Sequence, residues 1–255
     1  MSTTPARFIT IPLSHYCEKA RWGLDRVALP YREEPHIPLL SRLATRRSDG
    51  DTVPLLVHGD LRLTDSTDIL VHLDSTRGGD LLYPRDAQLR REVDALEDRF
   101  DKDLGTHVRR WAYTHLLPEK ALLRELWARG APRHETLWLP LIVPLGRALL
   151  RKAYKVTPAG AARSTERVRE IFHEVGERLK DGRRFLAGDR FTAADLTFAA
   201  LAAPVVFPAE CRATLPALEQ APEAMQADIR SFRATAAGEF ALRLYSQERS
   251  GAVHA

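Results

Sequence analysis

The chain is poor in cysteine, with two in 255 residues. Cys17 and Cys211 cannot build a disulfide framework. None of the nine histidines has H-x-x-x-H spacing or a nearby cysteine pair, so no metal site is expected. No uninterrupted apolar run approaches the roughly 20 residues of a membrane-spanning helix. The opening Met-Ser-Thr-Thr-Pro-Ala-Arg lacks a signal peptide's apolar stretch, and the expectation is a reduced, cytoplasmic protein. Long basic runs are missing too, as is any basic stripe interleaved with aromatics. The net charge of +4 is spread mildly: residues 1–80 hold 10 Lys+Arg against 11 Asp+Glu, and the remainder 28 against 23. Nucleic acid is therefore not expected as a partner. Internal repeats and low-complexity tracts are likewise absent.

What is there suits a folded core: 44% hydrophobic and 28% charged residues over a length that allows one or two domains. The first 80 residues alternate between two periodicities. Phe8-Ile9-Thr10-Ile11 reads as a strand. Cys17, Ala20, Leu24 and Val27 then fall on one helical face, closed by Leu29-Pro30. Tyr31 to Glu34 reads as a second strand, and Pro35 to Arg47 as a poorly patterned connection. Leu55-Leu56-Val57 and Leu61-Arg62-Leu63 flank His58-Gly59-Asp60, a hairpin signal. A helix is expected from about Ser66 to Ser75. The order β-α-β-(α)-β-β-α makes residues 1–80 an α/β domain. Arg77-Gly78-Gly79-Asp80 with Pro84 is the expected linker.

Beyond the linker strand signals disappear, and residues 86–250 read as an all-α domain. Leu89, Val93, Leu96, Phe100, Leu104, Val108 and Trp111 step by three or four, describing one long amphipathic helix. Further helices are read around Val168–Leu179, Leu196–Ala203, Met225–Phe232 and Phe240–Leu244. Residues 137–155 (LWLPLIVPLGRALL, then Arg151, Lys152 and Lys155) allow three readings: a membrane-surface segment, a wall of an apolar cleft, or helical core. Surface anchoring is the least favoured, because Pro140 and Pro144 are expected to interrupt a continuous helix.

Three stretches of the α/β half carry chemistry. In Ser14-His15-Tyr16-Cys17 a hydroxyl and a thiol stand three residues apart where a strand turns into a helix. The unpartnered N–H groups of a helix start favour an anion, a thiolate included. Thr52-Val53-Pro54-Leu55 places a Val-Pro step before a strand; a cis bond there would offer the backbone of Val53 to an extended peptide. Asp65-Ser66 opens the next helix, with a hydroxyl and free N–H groups for a carboxylate and an acid for an ammonium. Together they suit a ligand with a thiol at one end and an amino-acid group at the other. Ser14 has a blander reading as a helix N-cap, and Cys17, on the apolar face, as a small buried hydrophobe. His15 either flanks a bound sulfur or is a solvated helix-start residue.

At these residues the chain resembles the soluble glutathione transferase family, over essentially its whole length. The resemblance implies a thioredoxin-like first domain, a helical second domain and glutathione as co-substrate. It implies that Ser14 contacts the glutathione sulfur, that Val53 before Pro54 pairs with the tripeptide backbone, and that Asp65-Ser66 grips the γ-glutamyl end. Asp65 departs from the family's usual Glu by one methylene. A homodimer is also implied. Gly188 to Leu196 resembles the family's capping box, with Thr192 and Asp195 reciprocal and Phe191 and Leu196 as the staple.

The implied reaction is attack of an activated thiolate on a small hydrophobic electrophile, with Ser14 stabilising the sulfur and with Trp111, Tyr113 and Leu116 as candidate cleft residues. A redox enzyme using Cys17 and a non-catalytic interaction protein on the same scaffold are the rival readings.

Overall fold

Phe8 and Ile9 are both fully buried, and they point to different sides of one sheet. That is possible only for a central strand covered on two faces. In the computed structural model, which describes residues 5–249, this strand is β1 (Ala6–Thr10). The outermost residues of the two expected domains, and residues 1–4 of the opening stretch, lie outside the described residues. The sheet has four strands in the order β2-β1-β3-β4, with β2 (Tyr31–Pro35) parallel to β1, and β3 (Leu55–His58) and β4 (Leu61–Leu63) forming an antiparallel hairpin. Gly59 sits at φ +60° in the hairpin turn, where a side chain would be strained.

Helix α1 (His15–Arg26) joins the parallel pair, and α3 (Ser66–Thr76) follows the hairpin. A β-carbon at Gly23 of α1 would lie 2.2 Å from Leu70 of α3, so glycine permits their close approach. The connection read as unpatterned contains a six-residue helix, α2 (Ser41–Arg46). Its turn of buried Ser41 and Thr45 is too short and too polar to leave a periodic signal. This is a thioredoxin-like α/β layer, and after it the described residues form helices and no strand.

The expected long helix is realised as α4 (Ala87–Arg99) and α5 (Gly105–Leu116), joined through a π-helical turn at Phe100–Leu104. Within that wide turn the carbonyl of Asp101 accepts the Tyr16 hydroxyl at 2.8 Å. A β-carbon at Gly105 would fall 2.4 Å from the Tyr16 hydroxyl oxygen. Sequence spacing does not register a π turn, since one extra residue leaves the apolar stripe almost aligned.

Three helices follow that the spacing had not resolved: α6 (Lys120–Ala128), α7 (Arg133–Thr136) and α8 (Leu139–Ala153). Contrary to expectation, Pro140 and Pro144 do not interrupt α8. Pro140 is in the first turn, where an N–H has no partner anyway, and the exposed Pro144 removes a single backbone bond. The inner face of α8 (Leu139, Ile142, Val143, Leu150) is buried, while Leu137, Trp138, Leu141, Leu145 and Leu149 stand exposed around it. No helix among the described residues is long and apolar enough to cross a membrane.

Helix α9 (Pro158–Leu179) and the fully buried α10 (Ala193–Val206) form the centre of the helical layer, completed by α11 (Glu223–Arg233) and α12 (Ala236–Leu244). Asp195 closes the capping box on α10. It accepts from the Thr192 N–H and hydroxyl, both at 2.9 Å, and from the Leu186 N–H at 2.7 Å. Helix α1 packs between α3 and α10, with Trp22 wedged against Phe191 and Tyr245.

At this junction Lys19 is wholly buried, its Nζ 2.9 Å from Glu97, 2.6 Å from Asp101 and 2.8 Å from the Thr67 hydroxyl. Arg21, on the same helix, bonds Glu18 and Glu33 at 2.6 Å each.

Candidate active site

Strand register decides where the three chemical stretches meet. Ile9 of β1 pairs with Leu55 of β3, and Leu56 of β3 with Leu63 of β4. The end of β1, the start of β3 and the end of β4 therefore share one end of the sheet. Ser14, Val53 and Asp65-Ser66 follow or precede those ends by only a few residues.

Ser14 is the N-cap of α1, and its Oγ accepts the Cys17 N–H at 3.3 Å. Its own proton remains free to donate. The N–H groups of His15 and Tyr16 have no hydrogen-bond partner among the described residues. A hydroxyl polarised by a helix N–H, beside two open N–H groups, is an arrangement for an anion. The peptide bond between Val53 and Pro54 is cis. The Val53 N–H and C=O make no backbone bond among the described residues, although the Thr52 hydroxyl approaches the carbonyl at 3.5 Å.

A cleft of about 490 Å³ opens against these residues and is lined by Ser14, Tyr16 and Val53 on one side and by Arg109, Tyr113, Leu116 and Tyr154 on the other. Its size and largely apolar lining suit a small organic molecule beside a peptide. Tyr113 and Tyr154 stack with centroids 5.3 Å apart and planes 10° from parallel.

Of the two readings of His15, the solvated helix start does not hold, while the residue does line the cleft beside Ser14. It is buried, and its Nε2 lies 2.9 Å from the Gly105 carbonyl. A carbonyl can only accept, so Nε2 carries the proton of a neutral ring. Burial, with the Arg109 charge second, pushes the His15 pKa down to about 3. The unfolded chain takes up this proton near the ordinary value of about 6.5, so the folded state binds fewer protons between the two values. The stability contribution is complete above the unfolded value and is lost as pH falls from there toward 3. We expect His15→Gln to flatten the acid side of the stability profile in that window, measured by denaturant unfolding at a series of pH values. An unchanged slope would remove His15 from the acid response.

Residues 8–80 match the model of the glutathione S-transferase N-terminal domain, and residues 158–229 that of the C-terminal domain. The chain belongs to the soluble glutathione transferase family. Among solved structures it is similar to poplar glutathione transferase F1 (15% identity, covering 96% of this chain and 99% of that one, TM-score 0.55). It is likewise similar to the β-etherase LigF of Sphingobium sp. strain SYK-6 (17%, 94% and 99%, 0.58). A third is a glutathione S-transferase from Rhodospirillum rubrum F11 (21%, 95% and 98%, 0.55). At these identities the likeness speaks for the fold. No curated protein sequence matches the chain.

The other residues that glutathione transferase resemblance had singled out are placed unevenly. Asp65 is exposed and turns its carboxylate back onto its own helix, accepting from the Thr67 N–H at 2.7 Å and the Asp68 N–H at 3.3 Å. Ser66, buried in the first turn of α3, keeps its N–H and hydroxyl unpartnered among the described residues. Pro54, Asp65 and Ser66 stand beyond the residues lining the 490 Å³ cleft.

Trp111 does not line it either. Its indole N–H donates to Asp228 at 2.9 Å and its ring abuts Phe232 and His115, so it belongs to the helical core, as residues on a continuous apolar stripe usually do. Cys17 is fully buried among Phe8, Ala20, Leu24 and Leu56, away from the cleft, and burial pushes its thiol up to about 11. Cys211, outside the site, receives the Tyr245 hydroxyl at 3.7 Å.

Tyr16, Arg109 and Tyr154 line the cleft without having been read from the sequence. Tyr16 is two residues from Ser14 and could have been found by proximity. For Arg109 no sequence signal exists, whereas Tyr154 falls in the 137–155 stretch, one reading of which was a cleft wall, and Leu149, Leu150, Lys152 and Ala153 of that stretch line the cleft as well.

Proposed function

We propose that the protein conjugates glutathione to a small electrophile, with Ser14 stabilising the glutathione thiolate. The observation that carries this reading is the Ser14 hydroxyl itself: it lines the cleft, is held by the Cys17 N–H, and retains a free proton at a helix N-terminus. A thiol with pKa near about 8.5 is only a few per cent ionised at neutral pH, and the thiolate is the nucleophile. Lowering that pKa by ~2 units corresponds to about 2.7 kcal/mol of preference for the anion. The thiol proton passes to solvent, the sulfur lone pair forms a C–S bond, and the leaving group departs with the electron pair of the bond it breaks.

In this reading Val53 pairs with the peptide backbone of glutathione, and the open N–H and hydroxyl of Ser66 take the γ-glutamyl carboxylate. Tyr113 and Leu116 contact the electrophile. The family resemblance supports a homodimer, a cytoplasmic setting and a role in detoxification as parts of the same proposal. Conjugation of glutathione to an aryl halide tests it, and absence of turnover together with absence of glutathione binding would sink it.

The burial and raised pKa of Cys17 weigh against the redox reading, since a reactive thiol is exposed and acidified. We expect Cys17→Ala to leave conjugation essentially unchanged and to lose about 1 kcal/mol of stability or somewhat more from the vacated volume. If the wild type reduces disulfides or hydroperoxides and Cys17→Ala does not, the redox reading returns.

A further inference from the structure

The cleft is lopsided in charge. Arg42, Arg109 and Lys152 are among the residues lining it, and no aspartate or glutamate is. Arg42 and Lys152 are exposed at its edge, where water solvates them. Arg109 is different. It is half-buried on α5, its guanidinium carbon 4.3 Å from the centroid of the Tyr154 ring and 5.6 Å from that of Tyr16. Its Nε is shielded from solvent and has no hydrogen-bond partner. Among the described residues Arg109 forms no ion pair.

Other shielded arginines of the protein behave otherwise. Arg110 donates to the Tyr154 carbonyl at 2.7 Å and to the Ser164 hydroxyl at 2.9 Å. Buried Arg21 and Arg249 each face two carboxylates. A guanidinium nitrogen withdrawn from water without a partner is unfavourable, and an anion supplied by a ligand to the same half-buried group would compensate it. Its planar fork matches a carboxylate or sulfonate. The neighbouring Tyr113–Tyr154 stack offers a flat body something to lie against.

We propose that the electrophile selected by this cleft carries an acidic group on a flat unsaturated body, and that Arg109 is the specificity-determining residue that binds the acid. The proposal rests on the glutathione-conjugating reading above. Glutathione has carboxylates of its own, but Arg109 stands on the helical wall with Tyr113 and Tyr154, whereas Val53 and Ser66 belong to the sheet end. For an aryl chloride the step forms a C–S bond at the ring carbon, chloride leaves with the C–Cl electron pair, and the thiol proton goes to solvent. The acid takes no part in the bond changes.

The test compares chlorodinitrobenzene with its carboxylate-bearing analogue chlorodinitrobenzoate in the full-length wild type, Arg109→Met and Arg109→Lys. Arg109→Met should lower kcat/KM for the benzoate by about 10- to 100-fold, the loss of one charge-assisted contact. The neutral substrate should change by less than about threefold and KM for glutathione should stay constant, since uniform losses mark a different role. Arg109→Lys should lie between wild type and Arg109→Met, and it preserves the comparison if Arg109→Met fails to fold. Equal losses for the two chlorides, or a loss confined to glutathione KM, would overturn the proposal.

A binding arm uses dinitrobenzoate and dinitrobenzene, neither of which has a leaving group, by calorimetry. If no aryl chloride is turned over, the transferase reading fails by itself. A preference for dinitrobenzoate that Arg109→Met abolishes would still sustain the acid site, and equal binding of the two would end it.

Discussion

Replacing Ser14 by alanine is expected to cut kcat/KM for aryl-halide conjugation by about 10²-fold, the usual cost of removing one preorganised donor from an anion site. The geometry makes the effect specific. The hydroxyl accepts from the Cys17 N–H and has one proton to give, so its loss strips the thiolate of a polarised donor and leaves the helix start without its cap. The second consequence costs about 1 kcal/mol of stability and must be separated from the first. Ser14→Thr does so, because threonine keeps both the cap and the donor. The discriminating readout is the pH–rate profile: the apparent pKa of bound glutathione should move up toward the free value of about 8.5 in Ser14→Ala and stay low in Ser14→Thr. A profile identical in all three proteins would place the stabilisation elsewhere, in the open helix N–H groups.

A second large effect is expected at Lys19. Its ammonium is fully buried and lies between Glu97, itself buried, and Asp101. Lys19→Met leaves two carboxylates facing each other without their cation, a change that costs about 3–5 kcal/mol for a buried pair. In a chain of this size that is a fall in Tm of roughly 10 °C, at about 2–4 °C per kcal/mol. Burial already holds the Asp101 carboxyl above the usual carboxylate range, with Lys19 pulling it back. Without Lys19 it rises further.

A group whose folded pKa is raised favours the fold in its protonated form, so the deficit of Lys19→Met should shrink as pH is lowered through that pKa. Thermal unfolding between neutral and mildly acidic pH checks both parts. A deficit independent of pH would mean that lost packing, and not stranded charge, is responsible. The same variant tests how the layers are joined. Lys19 is on α1, Thr67 on α3 and Glu97 on α4, and Asp101 also holds Tyr16 through its carbonyl. Loosening it should therefore reach the cleft.

How far the sequence was legible depends on distance along the chain. The hairpin around Gly59, the helix starting after Ser14 and the Thr192–Asp195 box were readable because each is built from residues within a few positions of one another. The failures share a different cause. Trp111 continues an apolar stripe, and a stripe says that a side chain is buried without saying whether a cleft or a core buries it. Pro140 and Pro144 looked like helix breakers because the sequence does not show that α8 starts at Leu139, which puts Pro140 in the first turn and leaves a single lost bond at Pro144. The two readings of His15 stayed open because Gly105, its partner, is 90 residues away. Cys17 illustrates the reverse case: its place on the apolar face already suggested a buried thiol, and there the structure puts it.

The sequence by itself determined the two-layer composition of the protein, the helix start that carries a hydroxyl and the helix caps, since backbone hydrogen bonding and side-chain period act locally. Only the tertiary structure decided that Tyr16, Arg109 and Tyr154 share a cleft with Ser14, and that Arg109 stands there without a counterion. Those facts are sums over elements packed from opposite ends of the chain. Burial and electrostatics depend on such three-dimensional neighbours, and no linear pattern encodes them.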